Sequence, residues 1–125
     1  MLPAAHRVRR AGDFRFAMRR GRRAASTSMV VHLALTPGGH DSGLDADPGS
    51  PARVGFVVSR AVGNAVTRNL VKRRLRHLVH DRLDALPSGA VVVVRALPPS
   101  ATATYAGLGA ELDRALTRLS AQVSS

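Results

Sequence analysis

Cysteine is absent from the 125 residues, so neither a disulfide nor a thiolate-held metal can contribute. Tryptophan is also absent, and one Tyr and three Phe are the only aromatic residues. A recognition module of the RRM kind needs aromatic platforms on its strands, whereas the strand-like segments here carry only Phe56. Acidic residues number eight, and five of them (Asp41, Asp45, Asp47, Asp81, Asp84) fall in a Gly/Pro-rich loop or at the end of a long helical pattern. No pair of them is spaced for acid–base work. There is no G-x-S-x-G elbow, and "VGNAVTRN" has a single Gly and no GK[ST], so neither an esterase nucleophile nor a phosphate-binding P-loop is present. His77 and His80 share a helical turn but have no third ligand near them in the sequence, so no metal site is expected. No run approaches the ~18 apolar residues of a membrane span, and "MLPAAHRVRRAGDF" lacks an apolar signal core. The expectation is a cytoplasmic chain without a membrane partner.

What the chain has in excess is positive charge. Its formal net charge is +11 and its pI about 11.9, which points to a polyanionic partner. All but one of the 19 basic residues are Arg, Lys72 being the exception. A guanidinium can grip a phosphate with two donors or lie flat on a base, which an ammonium cannot. The charge is also clustered. Residues 1–23 hold eight Arg against Asp13, and residues 53–82 hold seven Arg and Lys72 against Asp81, while the remainder is mildly acidic.

The apolar pattern predicts one domain over residues 1–125, with flexible termini and a mobile loop at 37–51, "PGGHDSGLDADPGSP". Residues 11–20 read as a short helix closed by Gly21, with Phe14 and Met18 on one face. "RRAASTS" is a weak edge-strand candidate. "MVVHLAL" (29–35) and "ARVGFVVS" (52–59) read as strands, taken together as an antiparallel pair joined by the long loop. His32 faces the same way as Val30 and Ala34. A helix follows from Asn64 to Leu86, with Val71, Leu75, Leu78, Val79, Leu83 and Leu86 as its apolar stripe. Arg68, Lys72 and Arg76 repeat at i, i+4 and i+8 on another face, beside Asn69 and Arg73. Like charges so spaced destabilise an isolated helix by a few tenths of a kcal/mol per pair, so an external counter-charge is implied. Arg74 lies nearer the apolar side, where it can snorkel. "AVVVV" (90–94) suits a central strand covered on both faces, and a last helix is predicted over about 104–120. The order is α-β-β-β-α-β-α, an α+β fold with helices laid on one sheet.

"GNAVTRNLVKRRLR" (63–76) resembles the signature of the bacterial ribonuclease P protein subunit, G-N-A-V-x-R-N-x-x-K-R. "RVGFVVSR" before it, "GDFRFAMRRG" near the start and "YAGLGAELDRAL" near the end are similar to the family's adjoining segments, so the resemblance spans nearly the whole chain. It implies a two-layer sandwich of about four strands, ribosomal protein S5 domain 2-like, with an unusual left-handed β-α-β crossover, against the usual right-handed rule. It implies a subunit that assembles with a catalytic RNA and binds the 5′ leader of precursor tRNA. The RNA would make the cut with magnesium, the protein supplying no catalytic residue and binding no cofactor alone.

On this resemblance Arg68, Asn69, Lys72, Arg73 and Arg76 are expected to contact the catalytic RNA. Asn64 is a candidate for the same RNA or, equally, a helix cap, with Gly63 allowing positive φ or close approach. The leader site is expected between the first helix and the sheet, from Phe14, Met18, His32 and Arg60, with Arg9 and Arg10 as auxiliary phosphate contacts. Met18 and His32 stand where the family has aromatic residues. Stacking on an aromatic is worth about 1–3 kcal/mol per base, so these departures bear on how firmly a leader base stacks. Two rival readings remain: a structural or ribosomal RNA-binding protein without a leader site, and a DNA-binding regulator. No DNA partner is expected on the family resemblance.

Overall fold

The computed structural model describes residues 21–35, 52–87 and 89–124. The helix expected at 11–20, the loop at 37–51, and Arg9, Arg10, Phe14 and Met18 lie outside the described residues. Strands β1 (Arg22–Ala25), β2 (Met29–Leu35), β3 (Arg53–Val58) and β4 (Ala90–Ala96) form one sheet, and helices α1 (Ala65–His80) and α2 (Tyr105–Ser124) accompany it. The weak "RRAASTS" signal is therefore a real strand, and it lies at the sheet edge.

The sheet order is β1-β2-β4-β3. β4 runs antiparallel to β2 and parallel to β3. This corrects the expected pairing of the second and third strands: β2 and β3 do run in opposite directions, but β4 lies between them. The reason is covering. β4 is apolar on both sides, and Ala90, Val91, Val92, Val93 and Val94 are each at most 1% exposed. Such a strand gains most from the middle of the sheet, where both its edges are also hydrogen-bonded. The parallel β3–α1–β4 unit is the crossover element that the resemblance implied.

Alternation divides the sheet into two faces. Met29, Val31, Leu33, Val54, Val92, Val94 and Ala96 point to the face on which α1 and α2 pack, and with Val71, Leu75, Leu78, Leu108, Leu112 and Leu119 they build the core. α2 lies over β1 and β2, and α1 over β3. The helices come close at Gly109, where an added Cβ would stand 3.1 Å from Leu78 Cδ2. The other face carries, row by row, Arg23–His32–Val93–Gly55 and Ala25–Val30–Arg95–Val57.

α1 is shorter than the periodicity suggests. It ends at His80, with Asp81 as C-cap, and a separate 3-10 turn follows at Leu83–Ala85. Leu83 and Leu86 still pack on the core from outside the helix. α2 starts behind Thr104, whose Oγ1 accepts from the Gly107 N–H at 2.9 Å. Glu111 of α2 holds the β1–β2 turn: its Oε1 accepts from Ser26 Oγ at 2.6 Å and from the Ser28 N–H at 2.8 Å.

Candidate nucleic-acid interface

The site begins at the joint between β3 and α1. A 3-10 turn, Arg60–Val62, follows the strand, pinned by buried Val62. Gly63 then takes φ 158° and ψ −167°, a region essentially confined to glycine. A Cβ there would also meet Thr67 Cγ2 at 2.9 Å. Asn64 next caps α1, its Oδ1 accepting from the Thr67 N–H at 2.9 Å. Of the two readings open for Asn64, the cap is realised; the bond uses only the amide oxygen, so it does not engage the Nδ2 donors.

From this elbow α1 presents two arcs. Val71, Leu75, Leu78 and Val79 are buried against the core. Asn69, Arg73, Arg76 and His77 are exposed, and Lys72 is half-buried at the margin. With Val66 these residues border an open hollow of about 740 Å³. No acidic residue occurs anywhere in α1, so nothing on the helix itself neutralises this face. Arg74 leans the other way, its Nη1 donating to the Ala103 carbonyl at 3.4 Å, in keeping with the expected snorkel.

Arg68 differs from its helical neighbours. It is only half-exposed, and its Nε is sealed from water without a hydrogen-bond partner among the described residues. Helical spacing places it within the buried arc, between the directions of Leu75 and Val79. Along the ridge Arg68–Lys72–Arg76, Arg68 and Lys72 are half-buried and Arg76 is exposed, as is Arg73 beside it.

His32 lies elsewhere. It points to the sheet face opposite α1 and α2, opposite Val93 on β4 and Arg23 on β1. It is 5% exposed, and its Nε2 is buried without a partner among the described residues. Burial, followed by the charges of Arg23 and Arg95, holds the imidazole below its ordinary pKa, so the ring is neutral at pH 7. Arg60 is exposed at the β3–α1 joint. The structure thus brings Asn64, Asn69, Lys72, Arg73 and Arg76 onto one helix and sets His32 apart on the far side of the sheet. Arg23 and Arg95 were not singled out from the sequence. Only the strand register puts them beside His32, because they lie nine and 63 residues from it along the chain.

Comparison with known proteins decides the family. The family model described as Ribonuclease P matches residues 2–120. The chain belongs to the ribonuclease P protein family. With that family comes a part in tRNA processing. A ribonuclease P protein component from Nocardioides sp. is 55% identical over 126 residues, covering 99% of both chains. Another from Streptomyces bikiniensis is 56% identical over 119 residues, covering 95% of each. Among solved structures, the Staphylococcus aureus RNase P protein superposes with a TM-score of 0.72 at 24% identity, covering 90% of this chain and 93% of that one. The Thermotoga maritima RNase P protein gives 0.70 at 24% identity, covering 90% and 96%. These two likenesses establish a ribonuclease P protein fold. Among the described residues no helix is long and apolar enough to cross a membrane.

Proposed function

We propose that this chain is the RNA-binding subunit of ribonuclease P, docking the catalytic RNA on the outward arc of α1 and the 5′ leader of precursor tRNA on the far face of the sheet. The observation that carries the reading is the exposed face of Asn69, Arg73 and Arg76, with Lys72 at its margin, unbroken by any acidic residue. The guanidiniums take phosphates, and Asn69 exchanges hydrogen bonds with a phosphate or 2′-hydroxyl. Arg68 adds a cation at the margin, and Asn64 sets the angle of the helix and offers its Nδ2 donors. His32, with Arg60 and the Phe14 and Met18 side chains, is assigned to the leader, and Arg9 and Arg10 to auxiliary phosphates. Of these residues His32 lies on the sheet face opposite α1, apart from the basic arc, and this separation supports a protein that holds two RNAs at once.

Magnesium belongs to the RNA in this reading. Among the described residues no three or more His, Asp or Glu come together, and the protein's part in this reading needs no metal of its own. The protein's work is electrostatic and positional, in the cytoplasm, and hydrolysis of the leader is the RNA's.

The test is cleavage of precursor tRNA by the cognate RNA at low magnesium, with and without the protein. A gain in cleavage is expected, and no gain sinks the reading. A series of leader lengths separates this function from that of a purely structural RNA-binding protein: affinity should rise as the leader grows to several nucleotides, and a flat series removes the leader site. Arg73→Ala should lower the salt slope of RNA binding by about one phosphate contact.

A further inference from the structure

Val66 is 78% exposed, and Tyr105, at 44%, is the other exposed large hydrophobic residue among those described. Isolated surface valines are ordinary, but this one is not placed at random. It occupies the first turn of α1, directly after the Gly63–Asn64 elbow, where a β-branched residue forms helix less readily than Ala. It borders the same hollow as Asn69, Lys72, Arg73, Arg76 and His77. Helical spacing sets it on one line with Arg73 and His77, at i+7 and i+11. A face that held phosphates alone would gain nothing from an isopropyl group among its cations. A nucleoside, by contrast, offers both chemistries side by side: a charged phosphate and the apolar face of a sugar or base.

We propose that Val66 is a contact residue for the RNA docked on α1, its isopropyl group packing on the apolar face of one nucleoside while Arg73 and Arg76 hold the neighbouring phosphates. The inference rests on the docking role of α1 proposed above. It adds a term that salt does not screen. Loss of two methyl groups corresponds to about a fifteenfold change in affinity when they are fully buried and about fourfold when half-buried, so a contact on one face gives about three- to tenfold, whereas loss of a phosphate contact changes the salt slope.

The experiment measures binding of the full chain to the ribonuclease P RNA of its own organism across a salt series. Val66→Ala and Val66→Thr are expected to weaken binding about three- to tenfold at every salt concentration, with the slope of the wild type. Ala is the better helix former, so the thermal midpoint of Val66→Ala should not fall; Thr keeps the shape and changes only the polarity. Wild-type affinity in both variants overturns the proposal, and so does a change in slope. If the wild-type chain binds this RNA no more tightly than an unrelated RNA of equal length, the docking reading fails and this inference falls with it. If Val66→Ala instead abolishes self-association seen by sedimentation without RNA, the occupant is a second copy of the chain and the proposal is wrong.

Discussion

Arg82 grips Asp113 with two hydrogen bonds, Nε to Oδ1 at 2.5 Å and Nη2 to Oδ2 at 3.2 Å, and so ties the end of α1 to the middle of α2. Its Nη1 also donates to the Leu78 carbonyl at 2.8 Å, satisfying an acceptor in the last turn of α1. The paired fork holds Asp113 below the usual carboxylate range. The carboxylate side is largely open to water, so Asp113→Asn should cost no more than about 1 kcal/mol. Arg82→Ala removes the carbonyl contact as well and should cost about 1–2 kcal/mol. Urea unfolding of the two variants checks the order; equal losses would mean that the carbonyl bond contributes nothing.

The elbow makes a different prediction. Gly63→Ala forces a side chain into a glycine-only conformation and against Thr67, so about 1–3 kcal/mol of stability should be lost. Asn64→Ala removes the cap, at about 1 kcal/mol. Thermal unfolding separates the two, and the glycine variant should melt lower.

Glu111 gives the fold an acid limit. Burial alone would raise its pKa, but the hydrogen bonds from Ser26 and Ser28 outweigh burial and leave it below the ordinary 4.5. Because the folded carboxyl has the lower pKa, its contribution is complete above about 4.5 and is lost as pH falls through the folded value. Glu111→Gln should flatten this acid limb. Glu111→Ala should cost about 1–3 kcal/mol at neutral pH, since it strips the acceptor from the buried Ser28 N–H. Denaturant titrations at a series of pH values read both effects.

His32 acts in a higher window. Its folded pKa also lies below the unfolded value, here about 6.5, so stability should be complete above that pH and decline as pH falls below it. His32→Phe should remove this decline and leave the lower, Glu111 limb in place. If the variant retains the loss just below pH 6.5, the buried imidazole is not its source.

The sequence carries the fold unevenly. Five consecutive apolar residues, Ala90 to Val94, announced a central strand because a strand covered on both faces has no polar alternation to show. The neighbours of that strand could not be read in the same way. Alternation in β2 and β3 reports which side chains are covered and says nothing about which edge meets which, so the long loop suggested a hairpin that β4 in fact interrupts. The spacing of Leu83 and Leu86 continues the stripe past the true end of α1, whereas the chain leaves the helix at Asp81 and packs Leu83, in a 3-10 turn, and Leu86, just after it, on the core. The basic face was legible from its spacing. The depth of Arg68 was not, since a few tens of degrees around a helix decide whether an Arg lies over the core or in water. Val66 carries no sequence signal of its own, because a single valine on a basic helical face is an ordinary surface residue until the hollow beside it is seen.

The position of β4 has a consequence for the order in which the molecule is made. Among the described residues β3 hydrogen-bonds within the sheet only through β4, and β4 is synthesised after both β3 and α1. On a ribosome the β1–β2 hairpin and the β3–α1 segment therefore emerge as two pieces with no strand ladder between their described residues. They become one sheet only once residues 90–96 are free to insert. Such a topology concentrates contacts that are distant along the chain, which slows folding, and it delays the basic face of α1 from being held in its final place until the last third of the chain has begun to appear.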